Sequence, residues 1–374
     1  MRIALLSRRF DASGGGTERD LIATAQCLRA AGHEITIFAD EIRGTTDGWK
    51  VRRVGGPRIG RAIALLRFAY AAAPAARQSG ADLVLSFGRT IGADIMRSGG
   101  GAHAAYLDAA RKWRSGAGGL MMRLAPYHRA QLFTERRGFQ WPGLKRAIAV
   151  SNFVRDDLVR RFDIAPAKAV TIYNGVDLEN FRPRQGNDAR GAIRAKFSIP
   201  ASARVAVFVG NGFARKGLGF LIDAWAAIPG APILLVAGAD RKTESYAQRA
   251  RQLGIGQRVV FAGPQPNIAE FFHAADALAL PSLFEPFGNV VMEAMASGLP
   301  VLTSLYCGAA ELLPPSMRPY CVEHPEDSGE IAVRMAALFD APATLAGDAR
   351  AAAEQFTWER YGRELSALIG SLKG

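Results

Sequence analysis

Cysteine is scarce in this chain: Cys27, Cys307 and Cys321 are the only three among 374 residues, with no C-x-x-C spacing and no histidine pair nearby. A disulfide framework and a zinc site both lose their usual carriers. Long apolar runs are missing too. No stretch of about 18 apolar residues occurs, and the opening Met1-Arg2-Ile3-Ala4-Leu5-Leu6-Ser7-Arg8-Arg9-Phe10 has too short an apolar part for a secretory signal. The protein is expected to stay in the cytoplasm. Also absent are D-x-D, G-x-x-x-x-G-K-[ST], H-E-x-x-H and G-x-S-x-G. A metal-clamped pyrophosphate, a kinase P-loop and a serine hydrolase therefore lose support.

Acidic residues are short in one half only. Residues 1–174 hold 28 Lys and Arg against 14 Asp and Glu, whereas the remainder holds 19 against 20, so the net charge of +13 arises entirely in the N-terminal half. Such asymmetry points to a polyanionic partner: nucleic acid, anionic lipid or a phosphorylated substrate. What is plentiful is core. With 49% hydrophobic residues over this length, two domains are the natural expectation.

The order of elements supports that division. A strand at Ile3 to Leu6, the glycine loop Gly14-Gly15-Gly16, a helix with Leu21, Ile22, Ala25 and Leu28 at helical spacing, and a strand from Glu34 to Phe38 open the chain. The alternation continues to a helix at Phe153 to Phe162. A second series runs from the strand Val205 to Val209 through Gly210-Asn211-Gly212 and on to a strand at Val301 to Thr303. Both halves read as doubly wound α/β sheets. The expected fold class is α/β, with two facing Rossmann-like domains, 1–173 and 174–357, and a ligand cleft fed by the carboxyl ends of both sheets. A last helix, about 358–374, is expected to pack back on the first domain.

Three motifs fall at strand ends. Glu285-Pro286-Phe287-Gly288-Asn289-Val290-Val291-Met292-Glu293 places two carboxylates across a turn that leads into an apolar helix. Eight helical steps set side chains roughly 80° apart, so both acids can be aimed at one ligand. Carboxylates accept from hydroxyls while a helix start attracts an anion, which fits a nucleotide sugar. Arg215-Lys216-Gly217 supplies two cations after a strand, a geometry for neutralising a departing pyrophosphate. Gly14-Gly15-Gly16 lets backbone N–H groups approach a phosphate, although G-x-G-x-x-G is not present and the dinucleotide fingerprint is lost. Asp20, in the first turns of the following helix, could face the cleft and contact an acceptor.

These residues resemble the retaining glycosyltransferases of family 4, which have the GT-B fold. The similarity covers nearly the whole chain. It is closest in Gly210 to Gly217, in Ala275 to Pro281 and in Phe284 to Val301, with Tyr173-Asn174-Gly175-Val176-Asp177 like the family's interdomain segment. Within the family, the chain is most similar to the glucosyltransferases that add glucose to the inner-core heptose of lipopolysaccharide. The resemblance implies that Glu293 holds the donor ribose and Glu285 the transferred sugar, while Arg215 and Lys216 grip the diphosphate. Backbone groups at Phe287, Gly288 and Asn289 should meet sugar and phosphate, and Gly15 and Gly16 the donor phosphate or acceptor. His103, in Gly99-Gly100-Gly101-Ala102-His103, matches a histidine near the donor sugar, but the acid that related glycine-rich runs often carry is missing here. The implied mechanism has the departing phosphate take the proton of the incoming hydroxyl on the same face of the sugar, with no covalent carboxylate nucleophile, no metal and no cofactor. UDP-glucose is the implied donor.

Between Ala104 and Arg146, nine Lys and Arg are interleaved with Trp113, Met121, Met122, Leu124, Phe133, Phe139 and Trp141, opposed only by Asp108 and Glu135. Such a stretch reads as an anchor on the anionic inner-membrane surface, where a phosphorylated glycolipid acceptor such as lipopolysaccharide is delivered. The bland alternative is a basic helix pair whose apolar residues are core. A nucleic-acid-binding protein would explain the charge, but it leaves Glu285, Glu293 and the two α/β series without a role and has no RNP signature. No nucleic-acid partner is expected.

Overall fold

The computed structural model describes residues 1–11, 14–56, 60–114, 117–186 and 188–372. These form two compact units, Met1–Gly175 together with Trp358–Gly374, and Val176–Thr357. In the first unit the strands are β1 (Arg2–Asp11), β2 (Glu34–Arg43), β3 (Lys50–Arg53), β4 (Leu83–Ser86), β5 (Ile95–Ser98), β6 (Arg146–Ala149) and β7 (Ala169–Thr171). They make one sheet in the order β3-β2-β1-β4-β5-β6-β7, every pairing parallel. Its helices are α1 (Gly16–Ala30), α2 (Arg61–Gln78), α3 (His103–Ala109), α4 (Ala117–Leu124), α5 (Pro126–Phe139) and α6 (Asn152–Phe162).

β1 and β2 outrun their apolar stretches because they pair with each other as far as Asp11 and Arg43. Ladder hydrogen bonds, not side-chain burial, carry those last residues. The sheet centre is buried on both faces, with Leu5, Leu6, Ile37, Val84, Leu85, Ile95 and Ile148 almost free of solvent, as covered parallel sheets require.

The second unit follows the same logic. After α7 (Asp188–Lys196) come β8 (Val205–Val209), α8 (Leu218–Ala227), β9 (Ile233–Ala237), α9 (Thr243–Gln252), β10 (Val259–Gly263), α10 (Ile268–Ala274), β11 (Ala277–Ala279), α11 (Asn289–Ala296), β12 (Val301–Ser304), β13 (Cys321–Val322), α12 (Ser328–Phe339) and α13 (Leu345–Glu354). The sheet order is β10-β9-β8-β11-β12-β13, again parallel. Trp225 of α8 is fully buried, and its indole N–H donates to the Pro232 carbonyl at 2.8 Å. The chain then returns to the first unit as α14 (Trp358–Gly370). Tyr361, Leu365 and Ile369, four apart on one face, join Leu21, Ala25 and Leu28 of α1 in a single apolar cluster.

Candidate active site

In a parallel α/β sheet the loops after the strands gather at the carboxyl edge, and in the second unit that edge collects the charged motifs. β8 ends at Val209 and the chain turns at Gly210 with φ +136°; a Cβ there would lie 2.4 Å from Lys216 Cε. The glycine therefore leaves room for the Lys216 stem to pass beside the strand end. Lys216 is buried, and its Nζ donates to Glu285 Oε2 at 2.6 Å. Arg215 Nη1 donates to the same oxygen at 2.9 Å and to the Phe284 carbonyl at 2.8 Å. Two cations thus share one carboxylate oxygen.

Glu285 is itself fixed by backbone. Its N–H donates to the Tyr306 carbonyl at 2.8 Å, and its carbonyl accepts from Gly308 at 2.9 Å. Burial would raise its carboxyl, but the charges of Arg215 and Lys216 and their hydrogen bonds outweigh that and hold it down at about 2. Gly288 then opens α11 at φ +99°, where no other residue fits: a Cβ would stand 2.6 Å from Cys307 Sγ. Asn289 is the first residue of α11, and Glu293 lies one turn on, buried within the helix. Phe287 is buried, and its carbonyl accepts from the Ala309 N–H at 2.6 Å. Arg215, Lys216, Glu285, Phe287, Gly288, Asn289 and Glu293 therefore lie together in one unit.

The remaining candidates lie in the first unit. Gly15 caps α1 without a side-chain hydrogen bond, and Gly16 is the first helical residue. His103 begins α3 and is buried; its backbone N–H donates to both oxygens of Glu135 of α5, at 3.0 and 2.8 Å. The carboxylate on this N–H comes from a helix 32 residues further along. Arg89 Nε donates to the same carboxylate at 3.1 Å. Burial lifts the Glu135 carboxyl above its ordinary range against the pull of Arg89 and the His103 N–H. The His103 ring meets His128 through an Nε2···Nδ1 hydrogen bond of 2.9 Å, so at least one ring nitrogen is unprotonated. Burial, then Arg89 and His128, push the His103 imidazole down to about 3, which keeps it neutral.

Asp20 is buried, and its carboxylate accepts from Arg97 Nη2 at 3.0 Å and Asn174 Nδ2 at 3.0 Å. Arg97 Nη2 also donates to Asn174 Oδ1 at 2.6 Å. An acceptor hydroxyl that reached Asp20 would have to compete with this buried ion pair. Sequence reasoning passed over Glu135, His128 and Arg89. The signal for Glu135 was its isolation as one of two acids in a basic segment; for His128 no local signal exists. Among the described residues, no three His, Cys, Asp or Glu side chains gather to hold a metal ion.

Comparison with known proteins gives the class and the family. The family model described as Glycosyltransferase Family 4 matches residues 14–180, and that described as Glycosyl transferases group 1 matches 189–356. The chain belongs to the family 4 glycosyltransferases, enzymes that retain anomeric configuration and need no metal. It is 33% identical over 231 residues to the D-inositol 3-phosphate glycosyltransferase of Saccharomonospora viridis, covering 58% of this chain and 53% of that one. To the same-named protein of Mycobacterium marinum it is 34% identical over 218 residues, covering 56% and 45%. The chain thus spans about half the length of these curated relatives. Among solved structures, WaaG, a glycosyltransferase involved in lipopolysaccharide biosynthesis, superposes with a TM-score of 0.83 at 21% identity, over 98% of this chain and 99% of that one. Anabaena Alr3699/HepE in complex with UDP and glucose gives 0.76 at 20% identity, over 99% and 100%. At such identities the likeness is one of fold, GT-B.

Proposed function

We propose that this protein is a retaining, metal-independent hexosyltransferase that moves glucose from UDP-glucose to the inner-core heptose of lipopolysaccharide. The observation that carries the reading is the clamp at the second sheet edge, with Arg215 and Lys216 on one oxygen of Glu285 at 2.9 and 2.6 Å. Two cations against one anion leave a unit of positive charge for a diphosphate. When the sugar–phosphate bond breaks, charge grows on the leaving oxygen, and fixed cations stabilise that state more than the ground state. Glu285, released from part of its pairing, is placed to accept from a sugar hydroxyl, and Glu293 from the ribose. The departing phosphate takes the acceptor proton on the same face, so neither acid needs to form a bond to the sugar. His103, neutral and clamped through its backbone, can exchange a hydrogen bond with the donor sugar.

The acceptor side rests on charge and on relatives. WaaG acts in lipopolysaccharide biosynthesis, and HepE was solved with UDP and glucose. The basic segment exposes Met121, Leu124, Phe133 and Trp141 beside Arg114, Arg129 and Arg137, which supports peripheral docking on the anionic cytoplasmic leaflet. No described helix is long and apolar enough to cross a membrane. The curated relatives favour a second reading within the same family, an inositol phosphate acceptor.

The test is turnover of a panel of nucleotide sugars with EDTA present, offering inner-core lipopolysaccharide and inositol 3-phosphate as acceptors. The expected result is UDP-glucose turnover on lipopolysaccharide that falls by about 10²–10³ in Lys216→Ala and collapses in Glu285→Ala. Turnover of another donor, or on inositol 3-phosphate alone, would overturn the lipopolysaccharide assignment. No turnover of any donor would overturn the transferase reading.

A further inference from the structure

At the amino edge of the second sheet, beyond the end of α11 opposite the clamp, a cavity of about 690 Å³ opens between the ends of α10, α11 and α12 and one face of α13. The sequence hollows it out. α11 stops at Ser297 and Gly298, where a φ of +71° and the Leu299 N–H on the Ala294 carbonyl at 2.9 Å end the helix, and Pro300 cannot continue it. α12 breaks off before Ala341-Pro342-Ala343, and α13 brings Ala346, Gly347 and Ala351 to the opening. These short side chains leave space beside Phe339 and Pro300, both half-buried, which form an apolar wall. The volume is that of a small-molecule pocket.

Helix ends carry orphan carbonyls and draw cations, which explains most of the charge around this cavity. Arg350 Nη1 donates to the Ala296 carbonyl at 2.7 Å and its Nε to Glu354 at 2.6 Å. Arg194 Nε donates to the Ala274 carbonyl at 3.0 Å, and Arg190 and Arg194 share the Asp276 carboxylate at 2.8 and 3.1 Å. Asp340, next to Phe339, is taken by Arg204 at 2.8 Å. Arg184 has no such account. It lines the cavity, is exposed, and has no carboxylate partner among the described residues. Burial and then the charge of Arg190 hold Arg194 below its ordinary value against the pull of Asp276, and Arg184 adds to that repulsion. Three guanidinium groups thus bear on one carboxylate, and the cluster lacks an anion.

We infer that this cavity binds a soluble amphipathic carboxylate, with its apolar body against Phe339 and Pro300 and its head on Arg184. One guanidinium fork matches the two oxygens of one carboxylate. Burial of the body removes apolar surface from water, at about 25 cal/mol per Å². None of Arg215, Lys216, Glu285 and Glu293 lines the cavity, so the site stands whether or not the transferase reading does.

The experiment is calorimetric titration of the full-length protein with 2-naphthoate and with octanoate, each beside its alcohol, 2-naphthylmethanol and 1-octanol. We expect at least one carboxylate to bind, and its alcohol to bind at least tenfold more weakly. Arg184→Gln should weaken the carboxylate by about the same factor, as loss of a charge-assisted hydrogen bond does. Gly347→Leu should abolish binding, because a Cβ there meets nothing within 4 Å and the longer side chain can fill the cavity without disturbing its neighbours. Gly370→Leu, in α14 and with equal room, should bind as the unaltered protein does. Saturating UDP-glucose should leave the carboxylate bound. Failure of both carboxylates to bind, equal binding of acid and alcohol, undiminished binding in Arg184→Gln or in Gly347→Leu, or displacement by UDP-glucose overturns the site.

Discussion

Asp20 in the first unit and Glu285 in the second are both carboxylates held by guanidinium groups, yet their surroundings differ. The Asp20 partner, Arg97, is 1% exposed, and the pair is completed by the Asn174 amide. Glu285 sits at a sheet edge with Arg215 26% exposed, and a second cation, Lys216, bears on the same oxygen. One network is charge-balanced and buried; the other carries surplus positive charge at a strand end. The same ion-pair chemistry therefore takes two forms, and the distinction lies in stoichiometry and access.

The strongest way to break this comparison is to remove one cation from each network. Arg97→Ala leaves Asp20 buried without its countercharge, and we expect a stability loss of about 3–5 kcal/mol in denaturant unfolding. Lys216→Ala leaves Glu285 still paired with Arg215, so its stability loss should be smaller, about 1.5–3 kcal/mol, while donor turnover falls. Equal losses in the two variants would mean that the second clamp serves stability as the first does.

Acid provides a sharper test of intermediate size. Glu285 is held at about 2, below its ordinary 4.5, so its stabilising contribution, on the order of 3 kcal/mol, is full above the ordinary value and is lost as pH falls through about 2. His103, held at about 3 against an ordinary 6.5, acts in a higher window. Below pH 6.5 the unfolded chain takes a proton there that the native chain refuses, so stability already falls between 6.5 and about 3. Unfolding curves against pH should show both windows, with His103→Gln flattening the upper one and Glu285→Gln the lower. An unchanged upper window in His103→Gln would show that the His103–His128 pair does not govern acid stability in the first unit.

Why the second clamp could be read from the sequence and the first could not follows from contact distance along the chain. Glu285, Gly288 and Glu293 belong to a single turn and helix, and Arg215 and Lys216 follow directly on a buried strand, so strand-end geometry places them all. Asp20 meets Arg97 across 77 residues and Asn174 across 154. Their meeting depends on β5 lying two strands from β1 in the sheet, an order that alternation of strands and helices does not determine. The Glu135 carboxylate on the His103 N–H has the same origin. β3 and β13 escaped for another reason: β3 is four residues long and largely exposed, β13 has only two residues, and neither carries enough periodicity to register. Long buried strands such as β8 and β9 were plain from their apolar runs.

The smallest effect tests whether backbone or charge holds the second clamp. At Gly288 both φ of +99° and the 2.6 Å approach of a Cβ to Cys307 Sγ oppose alanine, and that Cβ would also stand 3.3 Å from Glu285 Cγ. Gly212 shares a positive φ, +73°, but a Cβ there meets nothing within 4 Å. Gly212→Ala should therefore cost only the backbone strain, about 1–2 kcal/mol, and Gly288→Ala that strain plus the steric shift, toward about 3 kcal/mol. The Gly288 variant should also bind donor more weakly, because relief of the clash moves Glu285 away from Lys216, whereas the Gly212 variant keeps the clamp in place. Thermal unfolding of the two variants, with donor titration beside it, separates the cases. If both lose the same stability and neither loses donor affinity, the clamp is held by its charges alone, and the turn at Gly288 merely tolerates it.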